Sequence, residues 1–208
     1  MIDKKDTEDY LRHMWVKEFE NKETLTEKDL DNEYIAELFK KGYVNVNDGV
    51  INLSNAGEHL GRSLVRKHRI AEKVMADLFL ADMDEMEELA DQIEHIMSDE
   101  VEDNICRILG HPENCPHNNP IPEGNCCDVF DKENSVALIN CENGFAGEVS
   151  YIKTDDGKKL QKIMNLGLIP GSKIILIQKF PNYVFQLGNT QLAVDKELAN
   201  EIFVKKEE

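Results

Sequence analysis

Residues 84–110, D-E-M-E-E-L-A-D-Q-I-E-H-I-M-S-D-E-V-E-D-N-I-C-R-I-L-G, decide how this chain is read. Met86, Leu89, Ala90, Ile93 and Met97 recur at helical spacing and predict an amphipathic helix. At about 100° per residue, Glu87, Asp91, Glu94, His95 and Ser98 form a second stripe beside that apolar face. Three acids and an imidazole on one stripe repel or compete unless a positive charge sits among them. Carboxylate oxygen and imidazole nitrogen suit a divalent transition metal such as manganese or iron, and the lack of thiolate disfavours Cu(I). A solvated acidic helix face with one incidental histidine is the plainer alternative for this window.

The charge map sharpens the choice. The 208 residues carry a net charge of −17, and residues 71–133 hold 18 Asp/Glu against 3 Lys/Arg, a balance of −15. Residues 1–70 stand at −2 and residues 134–208 are balanced. An acidic middle third attracts cations and repels nucleic acid. No apolar run approaches the length of a membrane span, so no membrane insertion is expected. The start, M-I-D-K-K-D-T-E-D-Y, has no apolar signal core. Five cysteines, an odd count without a secretion signal, point to reduced thiols and a cytoplasmic setting. The chain has no internal repeat or low-complexity tract.

Around this centre, residues 7–21 read as a helix with Thr7 as N-cap and Asp9 in the first turn, where a carboxylate also suits the helix dipole. Residues 24–42 read as a second helix, with Thr26 and Asp29 as a capping box, Gly42 as its end, and Asn32 as a point where a helix can restart. Residues 43–53 alternate around Asn47-Asp48-Gly49 and read as a hairpin. Ser54 caps a long helix to about Leu80, Asp82 with Glu85 opens the next, and Ser98 caps a helix that Gly110 ends. Residues 111–134, rich in Pro, Asn and Gly, read as a linker or ordered loop without a regular element. Then the period changes to short strands, Glu148–Ile152, Lys173–Gln178, Tyr183–Leu187 and Gln191–Val194, around a helix Lys158–Asn165, the pattern of a small SH3-like barrel.

This layout, with T-E-D-Y-L-R (7–12), L-S-N-A-G-E (53–58), R-K-H-R-I-A-E (66–72), E-H-I-M-S-D-E-V-E (94–102) and L-G-H-P-E-N-C-P-H-N-N-P-I-P (109–122), resembles the diphtheria toxin repressor family of metal-dependent transcriptional regulators. K-L-Q-K-I-M-N-L-G-L-I-P-G-S-K-I (159–174) and the strands after it are similar to the FeoA domain. The resemblance implies an α+β fold of four parts. They are a winged-helix-like DNA-binding unit (1–69), a helical metal-binding and dimerisation domain (70–110), a Cys/Pro-rich linker loop (111–134) and a FeoA-like SH3-like barrel (135–208). It also implies a principal metal site at Asp9, Asp91, Glu94 and His95, closer to the manganese-sensor pattern than to the iron-sensor one. A second site is implied at His68 and Glu72, with Glu87 where some members place a further ligand. Arg12 stands where manganese sensors have a Glu, and a cation there opposes a second metal.

The resemblance weakens in the DNA-reading unit. From Tyr10 to Gly42 the chain is about a dozen residues short of the family layout, so the helix before the recognition helix is deleted or reduced to a stub. The surviving helix is net acidic. DNA contacts would fall to Asn32, Lys40, Lys41, Asn47, Arg62, Arg66 and Lys67. Within the loop, His111, Cys115, His117, Cys126 and Cys127 offer a zinc or iron site, or free thiols in a structural loop. The expected function is an iron- or manganese-dependent transcriptional regulator of metal homeostasis, acting as a homodimer on an operator duplex. The alternative is a metal-binding or iron-transport accessory protein that has lost DNA binding. No nucleophile or phosphate loop accompanies the acids, so an enzyme is not expected. A homodimer is expected through the apolar faces of residues 70–109: Ile70, Val74, Leu78, Met86, Leu89, Ile93, Ile105 and Leu109.

Overall fold

The computed structural model describes residues 3–29, 31–128, 135–154 and 156–206. The last part of the expected linker, residues 129–134, lies outside the described residues. Its spine is one helix, α3 (Asn55–Asp77), capped by the Ser54 side chain on Gly57 N. At 23 residues it spans roughly 35 Å and contributes to every core of the molecule.

Ahead of α3 come α1 (Lys4–Trp15), β1 (Leu25–Thr26), α2 (Asn32–Lys40), β2 (Val44–Asn47) and β3 (Val50–Leu53). α1 starts earlier than the sequence implies, because Asp3 rather than Thr7 is its N-cap. It ends in a π-helical turn, Val16–Glu20. The expected helix over 24–42 is not continuous. Thr26 and Asp29 do bond, with Thr26 N and Oγ1 at 2.8 and 2.6 Å from Asp29 Oδ2, but they close a turn after β1, not a helix. Asp31 then caps α2, so the restart at Asn32 is real and the helix before it is reduced to that turn. The hairpin forms at Asp48-Gly49, both at positive φ, and β1 joins it in a sheet of order β1-β3-β2. Leu11, Met14, Trp15, Ile35, Leu38, Ile51, Leu64 and Val65 fill this unit. A Cβ on Gly61 of α3 would meet Leu11 O and Trp15 Cβ at 2.9 Å, so a glycine there lets α1 lie directly on α3.

After α3 come α4 (Met83–Ile93), capped by Asp82, and α5 (Asp99–Ile108), capped by Ser98. The stripe running through Ser98 is therefore broken. α4 stops at Ile93, and Glu94, His95 and Ile96 form a turn before α5. Ala71, Ala90 and Met97 pack this corner. Residues 111–128 fold back over α3 and α5, burying Cys115, Ile121 and Cys126 against Ile70 and Cys106, with a short helix α6 (Asn125–Asp128). That stretch is packed structure, not an extended link.

The last unit is a six-stranded antiparallel sheet of order β4-β9-β5-β6-β7-β8. Its strands are β4 (Val136–Ala137), β5 (Ala146–Ile152), β6 (Lys173–Gln178), β7 (Tyr183–Leu187), β8 (Thr190–Val194) and β9 (Ile202–Lys206), with α7 (Gly157–Asn165) and α8 (Lys196–Glu201). β4, α8 and β9 were not legible beforehand: α8 runs into β9 without the Gly or Pro that marks a break. Register shifts at Val149/Tyr151 and Leu176/Gln178 curl the sheet. Val74, Leu78 and Ile105 of the helical unit pack on its core. Among the described residues, no helix is long and apolar enough to cross a membrane.

Candidate metal centre

Because Gly61 draws α1 against α3, the acids of α1 face the turn after α4. His95 is gripped from α1: its Nδ1 lies 2.7 Å from Glu8 Oε2 and its Nε2 3.1 Å from Asp9 Oδ1. Glu94 Oε1 is 3.6 Å from the same Nε2. Ligand atoms of Asp9, Glu94 and His95 thus converge within 4.8 Å of one another. Glu8, which the sequence reading missed, is buried and orients the imidazole so that Nε2 points at Asp9 and Glu94. Its only signal was adjacency to Asp9.

A second group adjoins the first through Glu94. Its Oε2 is 2.6 Å from His68 Nδ1, and His68 Nε2 lies 3.3 Å from Glu72 Oε1 and 3.6 Å from Glu87 Oε1. Burial pulls the His68 imidazole down, but its bonds to Glu72 and Glu94 outweigh burial and hold it up at about 9. Burial pushes Glu72 up, yet the bonds from His68 and Cys115 hold its carboxyl down at about 2. A cleft of about 540 Å³, lined by Arg12, His68, Glu72, Glu87 and His117 among others, opens beside this group.

The other expected ligand, Asp91, is not in either group. It pairs with Lys5 at 2.8 Å and Arg12 at 3.0 Å, and these cations outweigh its partial burial to hold its pKa below the ordinary value. Arg12 also places Nε 3.0 Å from Glu94 Oε1, without hydrogen-bond geometry. A guanidinium therefore sits between the acids.

The loop residues divide. Cys115 and His117 join Glu72, with His117 Nδ1 at 2.8 Å from Glu72 Oε1. His111, Cys126 and Cys127 meet Cys106 of α5. Cys106 was missed; its signal was a thiol five residues before His111 across the helix end at Gly110.

The expected DNA contacts divide as well. Asn32, Lys40, Lys41, Asn47 and Arg62 are exposed. Arg66 is not available to phosphate: it is 3 % exposed, paired with Glu102, and donates to Pro122 O and Cys126 Sγ. Lys67 is tied to Asp99 at 2.6 Å. Both cations are used up by the acidic unit they pack on. The dimer face shifts too. Ile70, Met86 and Leu109 are buried within the chain, Val74, Leu78, Ile93 and Ile105 pack on its cores, and of the expected set Leu89 is exposed. The exposed apolar residues of α4, α5 and the turn between them are Met83, Leu89, Ile96 and Val101.

The donor set fits a divalent cation. Glu94 Oε1 and Glu72 Oε2 are buried carboxylate oxygens without a hydrogen bond, and such atoms are costly unless a positive charge meets them. Oxygen and imidazole donors suit manganese or ferrous iron.

Comparison with known proteins agrees with this geometry. Residues 54–123 match the model of the iron dependent repressor, metal binding and dimerisation domain, and residues 136–206 match the FeoA domain. The diphtheria toxin repressor of Corynebacterium glutamicum is 25 % identical over 183 residues, covering 84 % of this chain and 80 % of the relative. That of Corynebacterium diphtheriae is 34 % identical over 89 residues, 42 % of this chain and 39 % of the relative. The solved structure of a manganese-dependent transcriptional repressor complexed with manganese shares the fold, with a TM-score of 0.52 over 97 % of this chain and 100 % of that one at 22 % identity. With a metal-binding and dimerisation domain on the long helix and a FeoA domain behind it, the chain belongs to the diphtheria toxin repressor family of metal-dependent regulators.

Proposed function

We propose that this protein is a metal-responsive transcriptional regulator in which Asp9, Glu94 and His95, with His68, Glu72 and Glu87 beside them, would hold Mn²⁺ or Fe²⁺. The observation that carries the reading is the meeting of α1 with the turn after α4 around carboxylate oxygens that lack hydrogen bonds. The bound ion would supply positive charge where these acids otherwise face one another. Asp9 and Glu8 belong to the helix that packs on the hairpin unit, while Glu94 and His95 belong to the dimerisation unit. Any ligand held by both biases the angle between them, which is population shift by differential affinity. Two copies would associate through Leu89, Ile96 and Val101 and present α2 and the hairpin to duplex DNA with Lys40, Lys41, Asn47 and Arg62. The relatives are repressors, and this reading is non-catalytic.

A second reading has its own support. α2 is acidic in its first turn, and Arg66 and Lys67 are consumed internally. Phosphate neutralisation supplies most DNA affinity, so the protein binds DNA weakly and with steep salt dependence, or serves as a metal-binding accessory protein. The deciding experiment is fluorescence anisotropy of a duplex from the protein's own promoter region, with Mn²⁺ or Fe²⁺ and with chelator, at low and physiological salt. Metal-dependent binding that His95→Ala abolishes supports the regulator. No binding even at low salt supports the accessory reading.

A further inference from the structure

We propose that Cys106, His111, Cys126 and Cys127 form a separate, closed site for one tetrahedral thiophilic divalent ion of the zinc class, which locks residues 111–128 onto α5. The four ligand atoms all lie within 4.8 Å of one another. Cys106 Sγ is 3.9 Å from Cys127 Sγ and 3.5 Å from His111 Nδ1. Cys127 Sγ is 3.8 Å from Cys126 Sγ and 3.5 Å from His111 Nδ1. Zinc bonds of about 2.3 Å to sulfur and about 2.0–2.1 Å to nitrogen, set at tetrahedral angles, give edges of about 3.8 Å between sulfurs and about 3.5 Å from sulfur to nitrogen. The observed edges have those lengths. All five cysteines are free, and these separations are far beyond a disulfide bond of about 2.0 Å. A polynuclear iron–sulfur cluster would spread the sulfurs farther apart than one ion does.

The surroundings suit an anionic trithiolate. Three thiolates and a divalent ion leave one negative charge, and the Arg66 guanidinium, shared with Glu102, donates to Cys126 Sγ at 3.3 Å. Three of the four ligands are buried. The local geometry is also built for it. Gly110 at φ +74° and His111 at φ +55° turn the chain sharply after α5, so His111 folds back on Cys106 one turn earlier. α6 then presents Cys126 and Cys127 together. The same loop brings His117 to Glu72 and the Pro120 and Pro122 carbonyls to Arg69 and Arg66. Locking it therefore positions one wall of the cleft beside His68. Oxygen and nitrogen dominate the Asp9 and His68 groups, whereas sulfur dominates here, so the two kinds of site would sort different metals.

The test is a Co²⁺ titration of the full chain, stripped by chelator under reducing, anaerobic conditions. The expected result is a thiolate-to-cobalt charge-transfer band with the intense visible bands of tetrahedral cobalt, saturating at one ion per chain and bleached by one equivalent of Zn²⁺. Cys106→Ser and Cys127→Ser should lose charge-transfer intensity. Cys115→Ser, and His95→Ala in the acid group, should retain it, which separates this site from the regulatory one. In the unaltered chain, zinc should also slow amide exchange in residues 111–127 relative to the stripped protein, a readout that needs no variant. A wild-type spectrum without thiolate charge transfer, bands that survive Cys106→Ser in a folded variant, or bands lost in Cys115→Ser would each overturn the assignment.

Discussion

Glu94→Gln in metal-free protein is a direct probe of the acid centre. The Glu94 side chain is fully buried, with Oε2 at 2.6 Å from His68 Nδ1 and Oε1 at 3.0 Å from Arg12 Nε. His68 is held at about 9, against 6.5 for the free side chain. A raised imidazole stabilises the fold fully below pH 6.5, where the unfolded state is also protonated, and loses that contribution as pH climbs through 9. At about 1.4 kcal/mol per unit, this group contributes about 3 kcal/mol that disappears between pH 6.5 and 9. Removing one of its two close carboxylates leaves Glu72, so the variant should lose only about half as much over that range. At pH 7 the substitution should cost about 3 kcal/mol, the lower end for breaking a buried ion pair, because His68 can release its proton once Glu94 is neutral. Urea unfolding with chelator, from pH 6 to 9.5, measures both slopes. Trp15, the single tryptophan, sits in the core that joins α1 to α3 and reports on the relevant unit. A flat wild-type profile between pH 6.5 and 9, or parallel profiles for wild type and variant, would refute the reasoning. With Mn²⁺ present the trend reverses for binding: affinity should rise with pH over the same interval, since His68 must shed its proton to become a ligand.

Other perturbations follow from the same geometry. Arg12→Gln frees Asp91 and Glu94 from a guanidinium at 3.0 Å and should tighten Mn²⁺ binding about tenfold or admit a further ion, read by calorimetry. Ile96→Asp with Val101→Asp, on side chains 83 % and 48 % exposed, should yield a monomer in light scattering at micromolar concentration with unchanged circular dichroism. Gly110→Ala places a Cβ 2.1 Å from Ile152 O at a φ of +74°, and should cost about 2 kcal/mol or more, seen as a lowered Tm.

Much of the local structure was legible because its causes are local. Ser54, Asp82 and Ser98 cap their helices through side chains two to three residues away, and Asp48-Gly49 supplies the positive φ that the hairpin turn requires. Periodicity likewise exposed the acidic stripe, and adjacency alone kept Glu94 beside His95. Periodicity could not show that α4 stops at Ile93, since the apolar spacing continues to Met97 while the backbone turns. Nor could it show partners far apart in sequence. Asp91 reads as a ligand beside Glu94, but Lys5 and Arg12, about 80 residues away, claim it. Arg66 reads as a phosphate contact until α5 and the 111–128 loop bury it. The five His and Cys residues of that loop read as one cluster; the fold sends Cys115 and His117 to Glu72 and brings Cys106 to the rest. Caps, turns and periods arise from interactions within a few residues, which the order of amino acids specifies directly. Which charges neutralise one another, and which thiols meet, depends on how helices pack across the chain, and only the tertiary structure decided that.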